Sequence, residues 1–184
     1  MIRGVEDMRT EQSNKYIIVK ESEIHNKGIF ARIDIPENTR IIEYEGERIS
    51  KKEGTRRVEE SFEKHKKDPK YNAGTYIFEL DDNYDVDGDV PDNDAKYINH
   101  SCDPNCEFRM EEDKIFIYST KLIKKDEELH YNYGFEIDPD DIYDFKDYPC
   151  NCGSPKCAGY MLAEHHWPKM KELLDKDHLK NSNP

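Results

Sequence analysis

The sequence predicts a mostly β fold with short helices, and three observations carry that reading. Residues 16–20 are rich in β-branched and aromatic side chains, and Tyr76-Ile77-Phe78-Glu79-Leu80 alternates with period two. Residues 106–110 and 114–119 are two strand-like runs joined by Glu111-Glu112-Asp113, the pattern of a hairpin. Helical spacing is confined to residues 50–67 and 167–179.

Taken in order, residues 1–14 are polar and patternless and read as a loose arm. After the first strand comes Lys27-Gly28-Ile29-Phe30-Ala31, where Gly28 admits a close approach denied to other residues. Pro36-Glu37-Asn38 makes a turn before a strand over residues 40–44. In the helical stretch that follows, Val58, Phe62 and His65 share one side, and His65 reads as packing or partly exposed, not a ligand. Asn83-Tyr84-Asp85-Val86-Asp87-Gly88, with Asp94 beyond, half matches a calcium-binding loop. That reading is rejected: Asn stands at the first ligand place, Asp94 at the last, Pro91 interrupts and a strand precedes, so an acidic hairpin is expected. Residues 15–135 read as one domain, 136–163 as an acidic connector with a cysteine segment, and 164–184 as a terminal helix and tail. In that helix Trp167, Met170 and Leu174 lie on one side, and Pro168 suits its first turn.

Composition bounds the function. The chain has 184 residues, enough for one domain and a modest core. Its mean hydropathy of -1.06 and 38% charged residues imply a thin core under a solvated surface. With 41 acidic and 28 basic residues the net charge is -13, which disfavours a nucleic-acid backbone as partner and favours a basic peptide. The sequence shows no signal-peptide run and no stretch of 18 apolar residues, so a soluble, intracellular protein off the membrane is expected. Three of its five cysteines, Cys150, Cys152 and Cys157, fall within eight residues, which fits metal ligation better than a disulfide framework. A tetrahedral structural zinc wants four ligands. The fourth is then Cys102 or Cys106, the other being a plain buried or free thiol.

The stretch that core packing explains least is Lys96-Tyr97-Ile98-Asn99-His100-Ser101-Cys102-Asp103-Pro104-Asn105, a short apolar approach running into polar groups that need partners if buried. Taken alone, it reads equally as a hydrogen-bonded turn closing a strand. Together with residues 27–31, Glu127-Glu128-Leu129-His130-Tyr131-Asn132-Tyr133-Gly134 and Cys150-Asn151-Cys152-Gly153-Ser154-Pro155-Lys156-Cys157, in this order, it resembles the SET-domain lysine methyltransferases with a post-SET zinc segment. The resemblance covers roughly residues 15–163.

That resemblance implies a SET β-fold in which Asn99-His100 and residues 127–134 cross in a knot-like core. It implies S-adenosylmethionine as methyl donor, a structural zinc on Cys102, Cys150, Cys152 and Cys157, and a lysine in a basic peptide such as a histone tail as acceptor. By the same resemblance Lys27, Gly28, Ile29 and Phe30 contact the cofactor largely through backbone, Asn99 and His100 contact it, Tyr76 lines the site, and Leu162 covers the adenine. Tyr133 is implied as the catalytic tyrosine, and Tyr131 as the position that influences how many methyls are added. The location implied is the nucleus or chromosome for a eukaryotic protein or a microbial effector, and the cytoplasm otherwise.

The family pattern is not met everywhere. Asn26 stands for the first glycine of a pair, Lys96 for a common Arg, Asp126 for a Gly, His130 for a Thr and Asn132 for an Asp. Methyl transfer to lysine also asks for an aromatic channel, because a neutral amine at pH 7 costs about 4 to 5 kcal/mol from a pKa near 10.4. Of the twelve tyrosines, Tyr76, Tyr118, Tyr131 and Tyr133 are expected to stand there. The alternatives are a SET-fold module that only holds a basic peptide and a methyltransferase of a non-histone protein; a calcium-binding protein built on residues 83–94 is disfavoured by the flanking strand pattern.

Overall fold

The computed structural model describes residues 14–68, 76–136, 145, 146 and 148–181. The arm read over residues 1–14, apart from Asn14, and most of the acidic connector lie outside the described residues. Among the described residues, ten strands form four small sheets, accompanied by two α-helices. β1 (Ile17–Glu21) and β2 (Lys27–Ala31) form an antiparallel pair. β3 (Arg40–Tyr44), β9 (Lys114–Ser119) and β8 (Cys106–Glu111) form a second sheet, with β9 in the middle. β4 (Glu47–Ser50), β6 (Tyr84–Asp87) and β5 (Ile77–Glu79) form the third. The fourth is a parallel pair, β7 (Asn99–His100) against β10 (His130–Tyr131).

β9 shows why these residues make a sheet. Ile115, Ile117 and Ser119 alternate inward, and the two isoleucines join Ile29, Ile35, Ile98, Ile123 and Leu129 in the main core. Each such side chain contributes about 1.5–3 kcal/mol by burial. The stretch expected to be an acidic hairpin is the second arm of one: β6 pairs antiparallel with β5, and it is also the central strand of its sheet, with Asp85 and Val86 buried. Lys51 makes this possible by placing its Nζ 2.8 Å from Asp85 Oδ1.

Helix α1 (Lys51–Lys67) begins where its cap does. Ser50 Oγ accepts from the Glu53 N–H, Glu53 sits in the first turn, and four basic residues fill the last. Arg57 ties it to the sheet through Glu47 (2.8 Å) and Asp87 (2.6 Å). Gly54 is needed for this approach, since a Cβ there would stand 2.2 Å from Asp85 Oδ2. At the other end, a 3-10 turn (Glu164–His166) leads into α2 (Trp167–Asn181). Met170 and Leu173 of α2 pack with Leu162 and Phe145 in a second, smaller core. Trp167 Nε1 donates to Leu162 O at 3.0 Å.

Two departures from the family pattern find a backbone reason. Asn26 has φ +37° and Asp126 φ +69°, the left-handed region that Asn and Asp enter more readily than other non-glycine residues. Asp126 also donates its N–H to Ala31 O at 2.8 Å and pairs with Lys20 at 3.1 Å. Asp126→Gly is therefore expected to stay within about 0.5 kcal/mol of wild type, whereas Asp126→Val, β-branched at that φ, is expected to cost about 1–2 kcal/mol. Urea unfolding of both variants checks this.

Candidate active site and cysteine metal centre

The parallel pair β7–β10 brings the two polar stretches side by side, with His130 opposite Asn99 and Tyr131 opposite His100. Asn105 fixes them from below: its Oδ1 accepts the His130 N–H at 2.8 Å and its Nδ2 donates to Glu128 O at 2.8 Å. Asn99 is buried, with its Nδ2 3.0 Å from Lys27 O, 2.8 Å from Glu128 Oε1 and 3.2 Å from Ser22 Oγ. Ser22 in turn donates to the same Glu128 oxygen at 2.7 Å. Gly28 lies over this network, where a Cβ would meet Glu128 Oε1 at 2.3 Å. Its role is thus a close approach to a carboxylate.

Above the pair opens a cavity of about 1000 Å³. Rings follow one another along it: Phe78 to Tyr131 at 5.8 Å, Tyr131 to Tyr133 at 5.0 Å, Tyr133 to Phe135 at 5.6 Å and Phe135 to Tyr148 at 4.9 Å. Phe62 of α1 closes on Tyr148 at 5.8 Å, so the helix and the tail meet at the rim. Polar groups collect elsewhere on the lining, among them Lys27, Lys96, Asn99 and His100. Tyr133 is held twice: its N–H donates to His100 Nδ1 at 3.1 Å and its hydroxyl to Ile98 O at 3.0 Å. Burial raises the pKa of Tyr133, and of Tyr131 still more plainly, so both phenols stay neutral.

Accepting at Nδ1 leaves the His100 proton on Nε2, which faces Cys102 Sγ at 3.4 Å. Burial, with His130 nearby, brings its pKa down to about 4, so the ring is neutral at pH 7. Cys102 belongs to a cluster: its sulfur and those of Cys150, Cys152 and Cys157 all lie within 4.8 Å of one another, and no disulfide joins them. The Cys102 and Cys150 sulfurs are 3.7 Å apart. Four thiolates at about 2.3 Å from a tetrahedral zinc stand about 3.7–3.8 Å apart, so the cluster fits that ion. Backbone N–H groups of Ala158 and Gly159 also point at Cys102 Sγ (3.5 Å) and Cys157 Sγ (3.3 Å), as thiolate ligands require. Burial opposes ionisation of Cys152, yet hydrogen bonds from backbone at Cys102 and Ser154 bring its thiol down to about 7.

The sequence pattern of the SET domain matches residues 26–134. The chain belongs to the SET-domain family. Among relatives of the SET chain, histone-lysine N-methyltransferase 2D of Homo sapiens is 35% identical over 158 residues, 84% of this chain and 3% of that protein. The H3 lysine-4 specific histone-lysine N-methyltransferase of Saccharomyces cerevisiae is 36% identical over 152 residues, 80% of this chain and 13% of that protein. Its Schizosaccharomyces pombe counterpart is 39% identical over 145 residues, 76% and 14%. The chain thus spans between 3% and 14% of the length of these curated relatives.

Within this SET fold, Tyr76, Tyr131, Tyr133, Asn99, His100 and Lys27 all line the cavity. Gly28, Ile29 and Phe30 do not: Ile29 is in the core, and the lining from this part of the chain is Ile24, His25, Asn26 and Lys27. Leu162 is not on the lining either. It pairs with Phe135 and points into the tail core, so strand alternation turns Met161 to the cavity instead. Tyr118 is not in the channel; its hydroxyl donates to Glu111 Oε1 at 2.6 Å, and Arg109 lies over its ring. Cys106 is a buried free thiol, its pKa pushed up to about 12 by burial.

Sequence reasoning missed Ser22, Glu128, Phe78 and Phe108. Glu128 stood in a quoted stretch, but only its approach to Gly28 and Asn99 reveals its task. Of the departures, Asn132 accepts from the Gly134 N–H at 2.9 Å and so makes the turn an Asp would make. Neither it nor His130 lines the cavity, and the Lys96 ammonium is taken up by Asp89 at 3.1 Å.

Cys152→Ser is expected to lose metal, and Cys106→Ser to keep about one tightly held zinc per chain. Native mass spectrometry of protein purified with zinc checks both; a tail this polar then disorders in the first variant, since such sites carry on the order of 10–16 kcal/mol of folding free energy in small peptides.

Proposed function

We propose that the chain is an S-adenosylmethionine-dependent protein-lysine N-methyltransferase, acting on a lysine of a basic peptide such as a histone tail. The observation that carries the reading is the single cavity in which the aromatic run Phe78–Tyr131–Tyr133–Phe135 meets the polar groups of Asn99, His100 and Lys27. Family membership and relatives named as histone-lysine N-methyltransferases support it.

S-adenosylmethionine, when bound, supplies a methyl group on a positively charged sulfur. The residues that would hold it are Lys27, Tyr76, Asn99, His100 and Tyr133, with Met161 from the tail. The chain's own work is orientation and desolvation. Tyr76, Phe78, Phe108, Tyr131 and Tyr133 line the cavity that a lysine would enter, an aromatic lining that favours its neutral amine by excluding water and favours a methylated ammonium product by cation–π attraction. The lysine sheds its proton to solvent before it enters, because both tyrosines have raised pKa values and neither is a phenolate able to take it. Tyr133, fixed through His100 and Ile98, offers a neutral hydroxyl near the reacting atoms. Tyr131, packed between Phe78 and Tyr133, is the residue that limits room for a methylated amine. Glu79, Asp81, Asp82 and Glu136 lie on the lining and, with the net charge of -13, favour a basic substrate.

The test is transfer of labelled methyl from S-adenosylmethionine to mixed histones by the zinc-loaded protein, with the labelled residue located by mass spectrometry. Wild type is expected to label lysine. Tyr133→Phe, which removes one hydroxyl and little volume, is expected to bind cofactor within a few-fold of wild type while turnover falls by about a hundredfold or more. A folded wild type that binds the peptide without labelling it would make the chain a binding module instead.

A further inference from the structure

A second cluster of metal-ligating groups lies outside the cysteine centre. The Nε2 atoms of His165 and His166 stand 3.1 and 3.0 Å from one and the same oxygen, Oε2 of Glu136. The two rings are 4.0 Å apart between centroids, and one ligand atom from each of the three residues lies within 4.8 Å of the others. The carriers are fixed by backbone and not by chance contact of surface side chains. Phe135 N donates to Met161 O, Ala163 N to Phe135 O, and His166 N to Ala163 O, at 3.2, 3.1 and 3.0 Å. Glu136 and the two histidines therefore ride on segments already laced together, and the His166 side chain is only 11% exposed.

We infer that Glu136, His165 and His166 form a second divalent-metal site, of the zinc class, with three protein ligands and one position open to water. Two neutral imidazoles and a carboxylate are a ligand set that suits zinc and its transition-metal neighbours. Ligands at about 2.0–2.1 Å from a tetrahedral ion stand about 3.3–3.4 Å apart, so small rotations of the exposed His165 and Glu136 side chains open the cluster enough to admit one. The alternative, two imidazole N–H groups donating to one oxygen, uses the same distances but takes up no ion. Glu136 also lines the cavity, so an ion here clamps the segment leading into α2 against its rim. With an open position and few ligands, the site is weaker than the four-cysteine centre and exchangeable. The inference rests on these three side chains alone and stands whether or not the cavity transfers methyl groups.

The test is titration of the metal-stripped full chain with Co²⁺ under reducing conditions, followed by optical absorption, with Zn²⁺ stoichiometry by native mass spectrometry. One equivalent is expected to bring the intense near-ultraviolet thiolate band of the cysteine centre. A second, weaker equivalent is expected to add only d–d absorption. His165→Ala, at an exposed position, and Glu136→Gln are each expected to weaken the second equivalent at least tenfold and leave the thiolate band unchanged, which also reports that the tail is folded. Saturation at one equivalent, or a second equivalent that persists in both variants, overturns the inference.

Discussion

Everything at the site depends on one short parallel pairing. β7 and β10 are two residues each, too short to hold together by their own ladder, and side chains supply what the backbone lacks. Asn105 bonds the backbone of the second stretch on either side of Leu129, at Glu128 O and His130 N, and Asn99 reaches from the first to Lys27 O and Glu128. These amides are buried, so each unmade bond would cost about 1–3 kcal/mol. That penalty makes the polar network specific: β2, β7 and the approach to β10 fit in one arrangement, and the cavity is what they leave open.

The cysteine cluster extends the same constraint to the tail. Cys102 lies two residues beyond the end of β7, while Cys150, Cys152 and Cys157 come from the C-terminal segment, and Cys150 and Cys152 also line the cavity. One ion shared by the four would join the stretch that carries Asn99 and His100 to the segment that carries Met161. His100 stands at the junction, bonded to the Tyr133 backbone on one side and facing Cys102 on the other. The tail adds its own small core around Met170 and Leu162, which suits a chain whose hydropathy leaves the main core modest.

Much of this was legible in the sequence. Strand β3 falls after the turn at Pro36-Glu37-Asn38 and strand β9 in the hairpin across Glu111-Glu112-Asp113, as the sequence reads, and helix α1 starts at the serine that caps it. The four cysteines and the tyrosines Tyr76, Tyr131 and Tyr133 were identifiable because resemblance preserves their order in the chain. What was not legible depended on partners distant in sequence. β6 reads as one arm of an acidic hairpin, and its buried, central place shows only when Lys51 and Arg57 are seen to neutralise it. Glu128 is one acid among many until Gly28 and Asn99 close on it. Leu162 and Met161 are adjacent and both apolar, so only the pairing of Leu162 with Phe135 decides which one faces the cavity. Asn26 and Asp126 read as departures from a pattern, while their positive φ shows them meeting the same backbone demand as the glycines they replace.

The central claim is that the metal-joined tail is a working part of the cavity, and cofactor affinity as a function of zinc occupancy tests it most directly. Calorimetric titration of S-adenosylmethionine into zinc-loaded protein, into the same protein after chelation, and after zinc is restored separates the possibilities. The account predicts binding that is lost on chelation and recovered with one equivalent of zinc, while the β8–β9 hairpin keeps its hydrogen-exchange protection throughout. Unchanged affinity in metal-free protein would contradict it.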